Sequence, residues 1–306
     1  MVARRNWGVT VVLAVMVLLV GSPTANADGP GPGWGQAVED QGVKITLHRS
    51  DLEKLQAAEQ GPRSGEGPWN QYALTSVCGT PTPGSADSDL LCGASFVACS
   101  ETNGNIGPGP AMDVHVRQVD NAGRPVSGVG GTWVKVGTTC LPSLVPGQGP
   151  QLTMGMIRDA FHDTDFAVPT VNIQPEGDVT LVNLPTYFEV KFPEAGFGPE
   201  EVDTPDPSRL LGYRIQVRPV LKSVTYHLGE TTIGPTESLG GPHPTGDVRA
   251  TYSRPGEHQV RADITYTGQF RVGGGEWFDI PGQVDLRGTP VTLTVREARA
   301  RLYSTP

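Results

Sequence analysis

Gln259-Val260-Arg261-Ala262-Asp263-Ile264-Thr265-Tyr266-Thr267-Gly268-Gln269-Phe270-Arg271-Val272 decides the fold. It is a long strand-like run between two turn clusters, Arg254–Glu257 and Gly273–Gly275. Similar runs lie on either side. Tyr213–Val220, Ser223–Leu228 and Val248–Tyr252 precede it, and Trp277–Ile280 and Pro290–Val295 follow. Turn residues at Gly234–Gly246 and Pro281–Gly282 separate them. The last run, Val291-Thr292-Leu293-Thr294-Val295, alternates and directs its valines and leucine toward a core. Several strands at this spacing predict a β-sandwich over residues 208–303.

Upstream the pattern is mixed. Val43–Leu47 alternates as a short strand would, and Ser50-Asp51-Leu52-Glu53-Lys54-Leu55 has the cap and acidic first turn of a brief helix. Residues 60–70 are a polar Gly/Pro-rich linker. Met112–Val119 alternates, and residues 132–139 read as its hairpin partner. Thr153–Phe166 is the one convincing helix, with Met156, Ile157, Ala160 and Phe161 on one face and Pro169 as its stop. Val171–Ile173, Val179–Val182 and Tyr187–Phe192 are short strands. Pro193–Pro207 reads as a linker or long loop, with a domain boundary near it. The expected fold is mainly β, with a disulfide-bonded α+β region at 71–200 before the sandwich.

The N-terminus reads as a secretory signal over residues 1–27. Arg4 and Arg5 are basic, Val9–Val20 is apolar after one early threonine, and Ala25-Asn26-Ala27 offers small residues for cleavage. The apolar run is shorter than the about 20 residues that span a bilayer. No later segment replaces it, so no transmembrane segment is expected after signal removal. Residues 28–70 form a Pro/Gly-rich leader, partly disordered in expectation. The 306 residues include 40 glycines and 28 prolines without a collagen-like period, which fits many short strands joined by turns. The net charge of −9 repels phosphate backbones, so nucleic acid is not an expected partner.

Cys78, Cys92, Cys99 and Cys140 are an even set in an exported chain and read as two disulfides with three possible pairings. Metal binding is the rival reading, but no Cys-x-x-Cys pair and no histidine at zinc-finger spacing occurs. Cys99–Cys140 is the preferred pair. Cys140 ends the returning strand of the 112–139 hairpin, and the Asn103–Pro110 loop brings Cys99 to the same open end. Cys78–Cys92 then closes a small Pro/Gly/Ser loop.

No serine-hydrolase elbow, His-Glu-x-x-His or Walker loop occurs; Gly93-Ala94-Ser95-Phe96-Val97 lacks the second elbow glycine. His162-Asp163-Thr164-Asp165 is the densest polar cluster and could hold a divalent cation, but a helix C-terminus followed by a turn explains it as well. His227, His243 and His258 are irregularly spaced for zinc. Glu230, Glu237 and Asp247 are loop carboxylates that could form a glycosidase pair. None is assigned a catalytic, metal or cofactor role, and no cofactor is expected. Trp34, Trp69, Trp133 and Trp277, with Tyr187 and Tyr266, could build a carbohydrate-stacking surface, although core packing is the commoner fate of such rings. Trp277 is the best candidate, because Gly273-Gly274-Gly275-Glu276 places it beside an exposed hairpin tip.

Tyr252-Ser253-Arg254-Pro255-Gly256-Glu257-His258-Gln259-Val260 resembles a signature of PKD-type Ig-like domains: an aromatic, a Pro-Gly turn and an alternating strand. Val224-Thr225-Tyr226-His227-Leu228-Gly229-Glu230 stands where that family places an aromatic strand running into Gly-Asp-Gly, although Glu230 and Thr231 replace Asp-Gly here. Most of residues 70–300 is similar to a family of exported actinobacterial proteins of unknown function. That similarity rests on the spaced cysteines, Val182-Asn183-Leu184-Pro185-Thr186-Tyr187-Phe188, the PKD-like segment, Tyr266-Thr267-Gly268 and the Pro290–Ala298 stretch. The resemblance implies a binding, spacer or adhesion module. The expected function is therefore non-catalytic binding at the cell surface or in the wall, with cell-wall glycan or a surface protein as partner. The alternatives are an extracellular hydrolase with a non-standard site, or a subunit of a surface appendage or secretion apparatus.

Overall fold

A computed structural model describes residues 43, 45–60, 68–85, 91–99 and 109–299. The expected signal, Trp34 and most of the leader lie outside the described residues. The elements in chain order begin with helix α1 (Arg49–Gln60), strand β1 (Trp69–Ser76), the short helix α2 (Gly93–Val97), β2 (Met112–Val119) and β3 (Val134–Thr139). Helix α3 (Met154–His162), β4 (Thr170–Gln174), β5 (Val179–Leu181) and β6 (Thr186–Lys191) follow. The chain then runs through β7 (Ile215–Leu228), β8 (Thr231–Thr236), β9 (Arg249–Ala250), β10 (Gly256–Val272), β11 (Phe278–Leu286) and β12 (Val291–Arg296). The fold is mainly β.

β10 organises the largest sheet. One edge pairs with β7 along most of its length. The other edge pairs first with β12, over Gly256–Val260, and then with β11, over Ile264–Phe270. The sheet order is β5-β12-β10-β7-β8, with β11 beside β10. All these pairs are antiparallel except β12 with β5. On β10 the even-numbered residues Val260, Ala262, Ile264, Tyr266 and Phe270 are buried, as a half-buried strand requires.

β7 does not keep one phase. Ile215 and Val217 are buried at odd positions, and Val224, Tyr226 and Leu228 at even ones. The change falls at Lys222, which is left out of the register between Ser223↔Thr265 and Leu221↔Tyr266. This bulge joins into one strand the two runs that the sequence pattern separates. The Pro281–Gly282 cluster likewise does not end a strand. It lies within β11, where the register shifts between Tyr266↔Val284 and Gly268↔Ile280. β8 takes in Gly234–Thr236, the first residues of the turn expected over Gly234–Gly246, with Pro235 on an edge strand where its missing N–H is tolerated. Gly229, at φ +79°, opens the two-residue connection from β7 to β8, a backbone state that favours glycine.

A three-stranded sheet, β4-β6-β9, contributes Val171, Ile173, Phe188 and Val190 to the same apolar cluster as β7 and β10. Helix α3 adds Ile157 and Phe161 to it. Thr153 caps that helix by accepting a hydrogen bond from the Met156 N–H at 3.1 Å. Gly268 lets the Phe161 ring approach the sheet, since a Cβ there would stand 2.8 Å from a ring carbon. Phe96 of α2 joins the cluster with its ring edge-on to Phe270 at 5.7 Å. Among the described residues the packing is thus continuous across the segment expected to divide 71–200 from 208–303.

The remaining sheet, β1-β2-β3, is antiparallel; its Leu74, Met112 and Val114 form one apolar cluster with Leu52 of α1 and with Leu141 and Val145 beyond β3. Of the strand expected over 43–47, the described residues 45–47 are irregular; Thr46 and Leu47 donate their N–H groups to the Thr138 carbonyl. The disulfides are Cys78–Cys92 and Cys99–Cys140. The second is fully buried beside Ile45, Ala98 and Ala111. No helix among the described residues is long and apolar enough to cross a membrane.

Candidate functional site

The β10–β11 hairpin positions Trp277. Gly273 and Gly274 take positive φ and turn the chain, and Trp277 follows just before β11 begins. Its ring is half-buried on the polar side of the sheet. Register sets Arg218 of β7 opposite Gln269 of β10, and Gln216 opposite Arg271. Both guanidiniums lie over the indole, with Cζ at 4.4 Å (Arg218) and 4.5 Å (Arg271) from the ring centroid. Each such contact is worth about 0.5–1 kcal/mol when exposed.

The two arginines are held differently. Arg218 donates from Nε and Nη2 to Gln269 Oε1, at 3.1 and 2.7 Å, and from Nη1 to Glu200 Oε2 at 2.8 Å. Arg271 donates from Nε to the neutral Gln216 Oε1 at 2.7 Å. Asp279 is engaged by Gln269 Nε2 at 2.9 Å. The cluster is therefore a rigid arginine-framed indole. The ring area that a sugar would stack on is shared with two guanidiniums, which an isolated reading of Trp277 does not anticipate.

A second polar constellation lines a cavity of about 560 Å³ beside the Cys78–Cys92 loop. Asp113, His115, Lys135 and Thr138 project into it from β2 and β3. Asp113 accepts from Lys135 Nζ at 2.7 Å and Thr138 Oγ1 at 2.6 Å, while His115 Nε2 pairs with Thr75 Oγ1 at 3.0 Å. Burial lowers the His115 pKa; the opposing pull of Asp113 is smaller. Sequence reasoning missed this group, although Asp113 and His115 share the polar side of an alternating strand.

Comparison with family models, with curated proteins and with solved structures finds no match.

The other candidates disperse. Asp163 caps α3 and pairs with Arg209, Thr164 donates to Asp203 Oδ2 at 3.1 Å, and the Asp165 carbonyl accepts from Phe197 N–H. His227 pairs with Asp263 at 3.0 Å, His243 packs on Tyr187 at 5.3 Å, and His258 on Tyr252 at 4.7 Å. Among the described residues no three His, Cys, Asp or Glu side chains are placed to hold a metal. Asp247 accepts from Ser238 Oγ, and Glu230 sits in the β7–β8 turn. Ser95 is buried, with its hydroxyl donated to the Cys92 carbonyl. Tyr187 and Tyr266 are core residues. Trp69 donates to Asn121 Oδ1, and Trp133 lies under the Arg117 guanidinium at 4.3 Å.

Proposed function

We propose that this chain is a secreted, non-catalytic binding protein. It acts at the cell surface or in the wall through a PKD-like, Ig-like sandwich built on β7, β8, β10, β11 and β12. Cell-wall glycan or a surface protein is its partner. The observation that carries this reading is the Trp277 cluster. Tryptophan and arginine dominate the energetics of binding surfaces, and here two strands hold them ready before any partner arrives. The PKD-like reading is supported by Tyr252, whose hydroxyl donates to the Leu228 carbonyl at 3.4 Å, and by Gly256, which opens the long strand after Pro255. Retention of the tagged chain in wall or membrane fractions, and release by salt or muramidase, tests the reading. Free protein in the medium counts against it.

The Thr75–His115 pair beside the cavity favours a second reading, an extracellular hydrolase with a non-standard site. His115→Ala would then abolish turnover of a wall-derived substrate and leave wall retention intact.

A further inference from the structure

The Trp277 cluster offers donors and a cation without matching acceptors. Among the described residues, neither Nη atom of Arg271 has a hydrogen-bond or ion-pair partner, and the Trp277 Nε1–H has none. Arg271 is fixed by a neutral glutamine and an aromatic ring, whereas Arg218 beside it is neutralised by Glu200. Arg214, exposed just before β7 begins, adds a second cation at this end of the sheet, with no carboxylate partner among the described residues. The opposing charges are Glu276, exposed at the hairpin tip, and Asp279, which accepts from Gln269 Nε2 and pairs with neither Arg271 nor Arg214. In a chain of net charge −9, an arginine held in place by neutral groups leaves a local oxyanion site. The free donors call for a ligand that brings oxygen acceptors and negative charge. The indole edge and the Gln216 amide suit the C–H and hydroxyl groups of a sugar.

We propose that Trp277, Arg271 and Arg214 bind an acidic glycan, one that carries carboxylate or phosphate groups. This rests on the binding reading above and narrows its ligand. The full chain is titrated with polygalacturonate, poly(glycerol phosphate), neutral dextran and polyglutamate, with melting temperature followed in parallel. Saturable binding of either acidic glycan, in preference to dextran and polyglutamate, is expected. The arm that binds more tightly identifies carboxylate or phosphate as the source of the charge. Arg271→Gln should weaken that binding at least tenfold with little change in melting temperature, while Arg124→Gln, on a distant turn paired with Asp120, should leave it unchanged. Binding of neither acidic glycan, equal binding of dextran or polyglutamate, or an Arg271→Gln variant that binds normally overturns the proposal. If wall retention then persists, the binding reading survives with another ligand; if retention is lost as well, both fail.

Discussion

At the scale of single residues, the consequential positions are those where one atom more or less changes what two elements can do. Gly268 is one. An added methyl would meet the Phe161 ring at 2.8–2.9 Å, in a fully packed part of the core. Gly268→Ala should therefore cost about 1–3 kcal/mol, read as a lower denaturant midpoint with an unchanged slope. Trp277 is different, because its contacts are on the surface. Trp277→Ala should remove two cation–π contacts, about 1–2 kcal/mol together, and abolish retention on cell-wall material. A melting temperature lowered far beyond that would make Trp277 a packing residue instead. The tip glycines and tryptophan are legible in sequence. The arginines are not, since their place over the ring depends on the cross-strand register of β7 with β10, which composition and spacing do not specify.

At the scale of elements, alternation identified β10 and β12 well because each keeps one phase. It divided β7 because Lys222 shifts the phase, and it stopped β11 early because Pro281 and Gly282, ordinarily turn formers, occupy an irregular stretch of an edge strand. Deleting Lys222 should remove the bulge and set Leu221 and Ser223 consecutively opposite Tyr266 and Thr265, so that both halves of β7 keep their apolar side chains on the core face. The expected result is a folded product, seen by near-ultraviolet circular dichroism and size exclusion; an unfolded or aggregated product would show that the sheet needs the bulge. The disulfides belong to this scale too. The hairpin reading of 112–139 set Cys99 beside Cys140, and that bridge closes the longer loop, with a sequence separation of 41 against 14 for Cys78–Cys92. On chain-entropy grounds the bridges contribute about 4 and about 3 kcal/mol respectively. Replacing Cys99 and Cys140 by alanine should therefore destabilise more than replacing Cys78 and Cys92, as urea unfolding would measure.

At the scale of the whole molecule, the β4-β6-β9 sheet and the large sheet share a core that the Pro193–Pro207 segment does not interrupt, because Phe161, Ile173 and Phe188 lie in one apolar cluster with Tyr226. Proline and aspartate content marks an exposed connection, and it carries no information on whether the flanking parts share a core. The same core holds three tyrosines whose phenols burial pushes upward: Tyr252 to about 12, with Tyr226 and Tyr266 raised further. In the unfolded chain tyrosine ionises near 10. The neutral folded form is favoured in full below that value, and the advantage is lost as pH climbs from about 10 through 12. Alkaline titration should show these tyrosines ionising late and together with loss of the fold, followed by phenolate absorbance and circular dichroism. Ionisation near pH 10 with the fold intact would contradict their burial.

The parallel pairing of β12 with β5 has a further consequence. A chain that emerges N-terminus first presents Val179–Leu181 long before Thr294–Arg296 arrives to meet it. β10 is then equally without its β12 partner over Gly256–Val260. The last segment thus acts as a latch. Until β12 arrives, the large sheet is open along part of one edge; its docking closes Val179–Leu181 and Gly256–Val260 in a single step.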